Sequence, residues 1–259
     1  MTTRRAWQRD VGAATRGAGM LTVVTGGGRG IGAATALRLA AEGHDLVLSY
    51  ASDSSAAEAV AARVRDLGVA CHVEQADVSQ AEQVDALFAA AARLGQVTGL
   101  VNNAGSTLHS ADLADTPADI VRRVVEVNLI GAILVARRAV QDMVDGGAIV
   151  NVSSAAATLG SPHEYVHYAA AKAGVDTLTM GLAQEVATRG IRVNGVAPGI
   201  VRTGIHADAG DAGRIERIGP TVPIGRVGEP EEIAEAIAWL LGDSCPYATG
   251  ATLRVAGGR

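Results

Sequence analysis

The strongest constraint on the fold is a glycine-rich segment, residues 25–32, which follows an apolar run and precedes a stretch rich in alanine and leucine. This order predicts a β-strand, a tight turn and a helix. Glycine lets the chain reverse tightly, lets the backbone approach a phosphate, and lets helix and strand pack closely. The positive end of the helix adds an anion site. We therefore expect a dinucleotide pyrophosphate at the start of this helix.

The spacing of the glycines leaves an alternative open. Gly26, Gly30 and Gly32 form the pattern G-x-x-x-G-x-G. A short glycine pattern also occurs in turns that bind nothing. A tight strand–helix turn without a ligand therefore remains open until the rest of the chain is considered.

Strand and helix patterns alternate along the chain. Strands are predicted at residues 20–24, 45–50, 69–74, 97–101, 147–152, 191–194 and 252–255, and helices at residues 33–42, 54–67, 79–94, 118–143, 162–188 and 231–241. Ser79 and Glu82 have the spacing of a capping box for the third helix. The alternation predicts an α/β, doubly wound Rossmann fold, with about seven parallel strands and helices on both faces. We predict one domain over residues 20–259 and a flexible extension over residues 1–19.

Composition argues against several classes of partner. The net charge is -5, the pI is about 5.7, and no basic stripe stands out, so we expect no nucleic acid partner. No apolar run reaches the roughly 18 residues of a membrane span, so we expect no membrane contact. Cys71 and Cys245 lack the spacing of metal ligands. We therefore predict free thiols in a cytoplasmic protein and no metal site, and a disulfide between the two cysteines is the alternative.

Several predicted strands end in polar or glycine-rich residues. Besides the glycine turn, these ends lie at residues 49–50, 77, 102–105, 153–154 and 198–199. In a doubly wound sheet, ligands bind beyond the carboxyl ends of the strands. The coincidence of so many such ends in one crevice favours a bound ligand over a structural turn.

Tyr168 and Lys172 are the first candidates for reacting groups. They are four residues apart in a predicted helix, so they lie side by side on one face. A phenol has a pKa of about 10 and is a poor base at neutral pH, but a nearby ammonium favours the phenolate. The pair can then take a proton from an alcohol or give one to a carbonyl oxygen. An ordinary exposed Tyr–Lys pair is the alternative.

Ser154 ends the fifth predicted strand. Its hydroxyl can donate to a substrate oxygen that gains charge in the transition state. A pair of helix-capping serines, with Ser153, is the alternative. Tyr165 has Ala169 four residues on and thus no cation at that spacing, so we assign it to the lining of the pocket or the core.

Four features together resemble those of the short-chain dehydrogenase/reductase family. They are Thr25-Gly26-x-x-x-Gly30-Ile31-Gly32, Asn102-Asn103-Ala104-Gly105, Ser154 with Tyr168-x-x-x-Lys172, and Pro198-Gly199-x-x-x-Thr203. Each is weak alone, but the set in this order is specific and covers the chain from about residue 20 to its C-terminus. Within the family, the chain resembles bacterial 3-oxoacyl-carrier-protein reductases and glucose-1-dehydrogenase-like proteins.

The resemblance implies roles for four catalytic residues. Tyr168 would be the acid/base, Lys172 would lower its pKa and hold the nicotinamide ribose, and Ser154 would orient the carbonyl. Asn128 would hold a water that links Lys172 to solvent. An asparagine inside an apolar helix is costly unless its amide is satisfied, which agrees with this role. A solvent-facing Asn128 is the alternative.

The resemblance also implies the cofactor contacts. Asp77 would accept a hydrogen bond from the adenine amino group, residues 103–105 would shape the adenosine side, and Val201 and Thr203 would hold the carboxamide. The predicted set is Gly26, Arg29, Gly30, Ile31, Gly32, Ser49, Tyr50, Asp77, Val78, Asn103, Ala104, Gly105, Tyr168, Lys172, Pro198, Gly199, Val201 and Thr203.

The end of the second strand favours NADP(H) over NAD(H). An acid there would bind the ribose 2′-hydroxyl and repel a 2′-phosphate, but the first carboxylate is Asp53. Arg29 can pair with a phosphate, and the resemblance puts Arg29 and Ser49 at places that contact the 2′-phosphate. A solvated Arg29 with bound NAD(H) is the alternative.

Three functions compete at this point. The first is an NADPH-dependent reductase of a ketone, such as a 3-oxoacyl thioester. The second is an NAD(P)-dependent dehydrogenase of a sugar or other alcohol, and the third is a non-catalytic nucleotide sensor, against which Ser154, Tyr168 and Lys172 weigh. Residues 199–228 are expected to form a substrate lid, because their glycines allow hinge motion. The resemblance further implies a homotetramer, with the long helices at 118–143 and 162–188 at its interfaces.

Overall fold

The computed structural model describes residues 19–259 of the chain. Seven strands form a single sheet: β1 Leu21–Val24, β2 Asp45–Tyr50, β3 Cys71–Gln75, β4 Val97–Asn102, β5 Ala148–Val152, β6 Arg192–Pro198 and β7 Thr252–Val255. Their order is β3-β2-β1-β4-β5-β6-β7, and every neighbouring pair is parallel. The order reverses between β1 and β4, so the crevice for a ligand opens there. The predicted doubly wound Rossmann fold is confirmed.

Helices cover both faces of this sheet. They are α1 Gly30–Ala41, α2 Ser54–Asp66, α3 Ala81–Leu94, α4 Ala118–Val125, α5 Gly131–Asp142, α6 Ala156–Leu159, α7 Val166–Val186, α8 Ile205–Asp208, α9 Arg214–Ile218 and α10 Pro230–Leu241. Helices α1, α2 and α10 pack on one face, and α3, α5 and α7 on the other.

Side chains of the strands contribute to two hydrophobic cores, one on each face of the sheet. Val24 packs into the core under α1 and α10, and its neighbour Val23 packs into the core under α3 and α5. Because successive side chains of a strand point to opposite faces, a strand buried on both sides must be apolar throughout. This is why the inner strands are rich in valine, leucine and isoleucine, whereas the edge strands β3 and β7 carry charged and polar residues.

Three predicted helix starts are wrong. The first helix begins at Gly30, within the glycine-rich segment, rather than at residue 33. The helix predicted from Ser79 begins at Ala81, and the Ser79 hydroxyl donates to Asp77 at 2.8 Å rather than capping the helix. The helix predicted from Pro162 begins at Val166. Ser161 and His163 before it have φ angles of 45° and 63°, which are left-handed conformations incompatible with a helix.

The long helix predicted over residues 118–143 is interrupted. Between α4 and α5, residues Glu126–Ile130 form one turn of π-helix. A π-turn inserts one extra residue into the helical repeat and often lies at a functional site. The interruption changes which side chains face the sheet, and Asn128 lies inside it.

The segment between β6 and α10 is more ordered than its composition suggests, since it contains α8 and α9. Apart from Gly19, the predicted flexible extension lies outside the described residues. Over residues 19–259, none of the helices combines the length and the apolar character needed to cross a membrane.

Candidate active site

A cavity of about 680 Å³ opens at the carboxyl ends of the strands. Every residue of the predicted cofactor set lines it except Gly32. The predicted catalytic residues Ser154, Tyr168 and Lys172 line it as well, whereas Asn128 lies behind its wall. The fold therefore brings residues from six separate strand ends to one crevice.

The glycine turn is held by side chains of the β4 end. Thr25 Oγ1 accepts hydrogen bonds from the backbone N–H groups of Asn103, at 2.9 Å, and Ala104, at 3.0 Å. In return, Asn103 Nδ2 donates to the Thr25 carbonyl at 2.9 Å. These bonds fix the two loops that form the floor of the cavity.

The glycines of the turn differ in their roles. Gly26 and Gly30 have φ angles of 65° and 53°, which glycine adopts without strain. A Cβ on Gly32 would collide with the Gly26 carbonyl oxygen and lie 2.7 Å from Asn103 Nδ2. Gly32 thus allows helix and turn to pack closely, while Gly26 and Gly30 present backbone to the cavity at the positive start of α1. This cradle fits a pyrophosphate.

The adenosine end of the cavity is polar. Asp77 accepts hydrogen bonds from Ser79 and, at 2.6 Å, from Arg123. Burial alone would raise the pKa of Asp77, but these hydrogen bonds outweigh it and lower the pKa below the usual value. Asp77 is therefore a fixed carboxylate. Arg123 also lines the cavity, and nothing in the sequence pattern marked it.

At the end of β2, the two residues assigned to a 2′-phosphate both line the cavity but differ in exposure. Ser49 is 1% exposed, and its hydroxyl accepts a hydrogen bond from the Gly26 N–H at 3.3 Å. Arg29 is exposed at the rim and forms an ion pair of 2.7 Å with Asp208 of α8. Asp53 caps α2, since its side chain accepts from the Ala56 N–H at 2.9 Å. Arg29 is thus the cation nearest this end of the cavity, and Ser49 shapes the turn.

Tyr168, Lys172 and Ser154 lie together at the inner end. Lys172 Nζ is 5.7 Å from the centre of the Tyr168 ring and donates to the Val152 carbonyl at 2.8 Å. The two side chains are almost completely buried. The Ser154 hydroxyl lies against the Tyr168 phenol and accepts from the Ala156 N–H at 3.2 Å. An exposed Tyr–Lys pair, the alternative considered above, is therefore wrong.

Burial dominates the protonation of both groups. It raises the pKa of the Tyr168 phenol, and the hydrogen bond with Ser154 opposes this only in part. Burial lowers the pKa of Lys172 to about 8, with the carboxylate of Asp176 opposing. The expectation that Lys172 makes Tyr168 acidic is thus not met by these residues alone, because each group loses its hydration. At neutral pH, Tyr168 holds a proton that it can donate.

Asn128 is fully buried in the π-turn. Its Nδ2 donates to the carbonyls of Ser106, at 2.6 Å, and Val124, at 2.8 Å, and its Oδ1 accepts from the Ser106 N–H. A Cβ on Gly105 would lie 2.7 Å from Asn128 Oδ1 and 3.5 Å from Lys172 Nζ. Asn128 Oδ1 and Lys172 Nζ therefore both border the small space beside Gly105, which a side chain at that position would fill. A solvent-facing Asn128 is ruled out.

The segment expected to form a lid covers the outer part of the cavity. Ile200, Ile205, His206 and Asp208 line it from this side. The Thr107 hydroxyl donates to the Ile205 carbonyl at 3.2 Å, which ties the segment to the loop after β4. Tyr165 lines the cavity and also packs in a small core cluster, in agreement with its assignment above. In the part of the chain that the structure describes, no three His, Cys, Asp or Glu side chains are grouped as metal ligands would be.

Comparison with known proteins identifies the family. The family model described as enoyl-(acyl carrier protein) reductase matches residues 26–259. The chain belongs to the short-chain dehydrogenase/reductase family. The enzymes of this family that it matches are oxidoreductases, and so is this protein.

Three relatives cover nearly the whole chain, and the two whose names state a substrate differ in it. The chain is 45% identical over 245 residues to the uncharacterized oxidoreductase YgfF of Escherichia coli (strain K12), covering 92% of this chain and 99% of that protein. It is 43% identical to 3beta-hydroxysteroid dehydrogenase 1 of Eggerthella lenta, covering 93% of each chain. It is 39% identical to the 3-oxoacyl-[acyl-carrier-protein] reductase of Synechocystis sp., covering 92% of this chain and 96% of that protein.

Solved structures agree on the fold. A dehydrogenase/reductase from Sinorhizobium meliloti superposes with a TM-score of 0.87 at 36% identity, covering 93% of this chain and 95% of that one. A short-chain dehydrogenase from Burkholderia cenocepacia in complex with NADP superposes with a TM-score of 0.87 at 32% identity, covering 92% of this chain and 97% of that one.

Proposed function

We propose that this short-chain dehydrogenase/reductase transfers a hydride between NADP(H) and a carbonyl or alcohol substrate, and that it acts as a ketone reductase. The proposal depends chiefly on the buried Tyr168, which lies between Ser154 and Lys172 in the wall of the cavity. A phenol keeps its proton at neutral pH, because its usual pKa is about 10. That state suits a group that must protonate a carbonyl oxygen.

Each residue of the site has a separate role in the reduction. When bound, the reduced nicotinamide supplies the hydride for the carbonyl carbon. Ser154 donates a hydrogen bond to the carbonyl oxygen as that oxygen gains charge. Tyr168 then gives its phenolic proton to the same oxygen, which completes the alcohol. Lys172 holds the ribose and, through the water that Asn128 is proposed to hold, returns a proton to Tyr168.

The fit of the cavity to a dinucleotide supports this reading. The open backbone at Gly26 and Gly30 lies at the start of α1, which suits a pyrophosphate. Asp77, with Val78 beside it, is proposed to bind the adenine, and residues 103–105 to contact the adenosine. Pro198, Val201 and Thr203 line the same cavity and are proposed to hold the nicotinamide, and Ile31 and Tyr50 complete the walls.

The preference for NADP(H) is proposed to come from Arg29. It lies at the rim beside the end of β2, where Asp53 serves as a helix cap, and a bound 2′-phosphate would replace Asp208 as its partner. The Burkholderia cenocepacia relative, of the same fold, was solved with NADP. We expect a higher kcat/KM with NADPH than with NADH. Arg29→Ala should raise KM for NADPH about tenfold and leave KM for NADH nearly unchanged, because one ion pair to a phosphate contributes about 1–2 kcal/mol.

Arg93→Ala provides the matched control, since Arg93 is exposed at the end of α3 and away from the cavity. It should alter neither KM. A wild-type preference for NADH would refute the cofactor assignment without touching the catalytic residues.

The direct test of the activity is a panel of ketones and alcohols, including 3-oxoacyl thioesters, steroids and sugars, with absorbance of the reduced cofactor as readout. We expect turnover of ketones. Tyr168→Phe should reduce kcat at least about 1,000-fold, in keeping with the loss of a general acid, while cofactor still binds. Faster oxidation of sugars than reduction of any ketone would favour the second function, and no turnover with bound cofactor would favour the sensor.

We also propose a cytoplasmic homotetramer. Ile130 and Ile133 of the interrupted helix and Met180 of α7 are large apolar side chains exposed on the monomer. Apolar groups exposed together on long helices are suited to a subunit interface. Cys71 and Cys245 are free thiols, which agrees with a reducing compartment.

A further inference from the structure

In the lid segment between β6 and α10, the buried valines lie on either side of residues 202–221, at Val201, Val222 and Val227, and the stretch between them has little core of its own. Its helices α8 and α9 have 4 and 5 residues. Within the described residues 202–221, the buried ones are Ala209, Arg214 and Gly219. Arg214 is thus the large side chain that this stretch buries, and a segment built this way depends on polar contacts for its position.

Arg214 makes those contacts with two residues just before the catalytic helix α7. Its Nη1 and Nη2 donate to the two carboxylate oxygens of Glu164, the second at 2.7 Å. Nη2 also donates to the Tyr165 hydroxyl oxygen at 2.9 Å, and the guanidinium carbon lies 5.2 Å from the centre of the Tyr165 ring. The planar fork of arginine can make these contacts at once, and an ammonium cannot.

Such a cluster is not explained by stability alone. Removing two charges from water costs about as much as their attraction returns, so a buried ion pair is weak evidence for stability. Arg214 is 5% exposed and Glu164 is 28% exposed. The Arg214–Glu164 ion pair is therefore better explained by its effect on the position of the lid than by its contribution to stability.

The cluster ends at the reacting phenol. The Tyr165 ring meets the Tyr168 ring edge-to-face, with centres 5.5 Å apart and planes at 87°. Aromatic pairs favour this arrangement, so the orientation of one ring restricts the other. Arg214 thus reaches Tyr168 through a single intervening side chain.

We propose that Arg214 is a positioning residue that latches the lid onto the catalytic helix and, through Tyr165, sets the orientation of Tyr168. The positioning part rests on the proposed role of Tyr168 in the reaction. The latch part concerns only the lid and the start of α7. Closing the lid and aligning the proton donor then become one event.

The latch is tested by limited proteolysis with thermolysin, which cleaves before Ile205, Ile215 and Ile218 in the lid. Arg214→Met keeps an unbranched side chain but loses every polar contact. We expect cleavage within residues 202–221 to accelerate at least fivefold over wild type at equal global stability. Arg217→Met is the control, because Arg217 is an exposed residue of the same helix that pairs with Asp211 within the lid. Equal cleavage rates for wild type and Arg214→Met would overturn the latch.

The positioning role is tested by a double-mutant cycle on the most active ketone and its preferred cofactor. Arg214→Met should lower kcat at least tenfold while KM for the cofactor changes less than twofold. Tyr165→Phe removes only the phenolic oxygen. Because Arg214 acts through Tyr165, the double variant Arg214→Met/Tyr165→Phe should lose less kcat than the product of the two single losses. In the control pair, Arg217→Met and Tyr165→Phe, the two effects on kcat should multiply.

Arg214→Lys separates charge from geometry and should not restore kcat. If Arg214→Met does not yield folded protein, Glu164→Gln carries the same two tests, since it preserves volume and loses the charged acceptor. Multiplicative losses, or a kcat within twofold of wild type, would overturn the positioning role. Absence of turnover in the wild type would refute the proposed function instead, and the proteolysis would still decide the latch.

Discussion

At Gly32 the site depends on the absence of one methyl group. The Gly26 carbonyl and the Asn103 amide occupy the space that a Cβ would need. Both neighbours are themselves fixed, since Asn103 also bonds the backbone of Thr25. The turn therefore cannot widen without breaking the connection between β1 and β4.

Gly32→Ala should accordingly destabilise the protein by about 1–3 kcal/mol through overpacking. It should also weaken cofactor binding, because the displaced backbone is part of the pyrophosphate cradle. Urea unfolding and cofactor titration by fluorescence measure the two effects. Gly181→Ala is the control, since an added Cβ there meets nothing within 4 Å, and it should leave stability unchanged or increase it. Equal stabilities for the two variants would contradict the packing argument.

Residues could be predicted from sequence where their partners are local. Tyr168 and Lys172 share a helix face at a spacing of four, and Gly26, Gly30 and Gly32 follow one strand, so local spacing is enough to predict both sets. Arg214 cannot be predicted in this way, because its partners Glu164 and Tyr165 lie 50 and 49 residues away. Arg123 was missed for the same reason, as its partner Asp77 is 46 residues distant. No local pattern records such pairs.

Among the elements, the π-turn at Glu126–Ile130 matters most for the site. It turns Asn128 toward the loop after β4, where the amide satisfies both backbone groups of Ser106. A regular helix would rotate this side chain by roughly 100° per residue of shift. The strands could be predicted because their burial shows as apolar runs. The π-turn could not, since one inserted residue leaves the apolar pattern of a long helix nearly intact.

Asn128→Leu should leave the Ser106 N–H and carbonyl without partners and cost about 1–3 kcal/mol of stability. The loop at Gly105 should loosen, so kcat should fall more than KM for the substrate rises. Thermal unfolding and steady-state kinetics measure this. Glu126→Gln, an exposed change in the same turn, should affect neither. An Asn128→Leu enzyme with wild-type kcat would show that this amide supports the fold only.

For the whole molecule, the outer surface of α5 and α7 bears on assembly. Because each helix packs its apolar side against a core, its outer surface is expected to be polar. Ile133 and Met180 depart from this, since they are 38% and 50% exposed. We expect Ile133→Glu to lower the mass measured by light scattering after size-exclusion chromatography, because an interface would have to bury the new charge. Leu67→Glu, at an exposed leucine beyond α2, should not change it. A wild-type monomer would refute the tetramer.

The sparse interior of the lid has one further consequence. Two dense cores stabilise the sheet and its helices, and the stretch from 202 to 221 contributes almost nothing to either. With this stretch as the proposed lid, we expect sequence changes there to alter which substrates the enzyme accepts without endangering its folding, provided that the buried Arg214 contacts are kept. A chain of this design would then acquire new substrates by varying one short segment, while the chemistry beneath it stays the same.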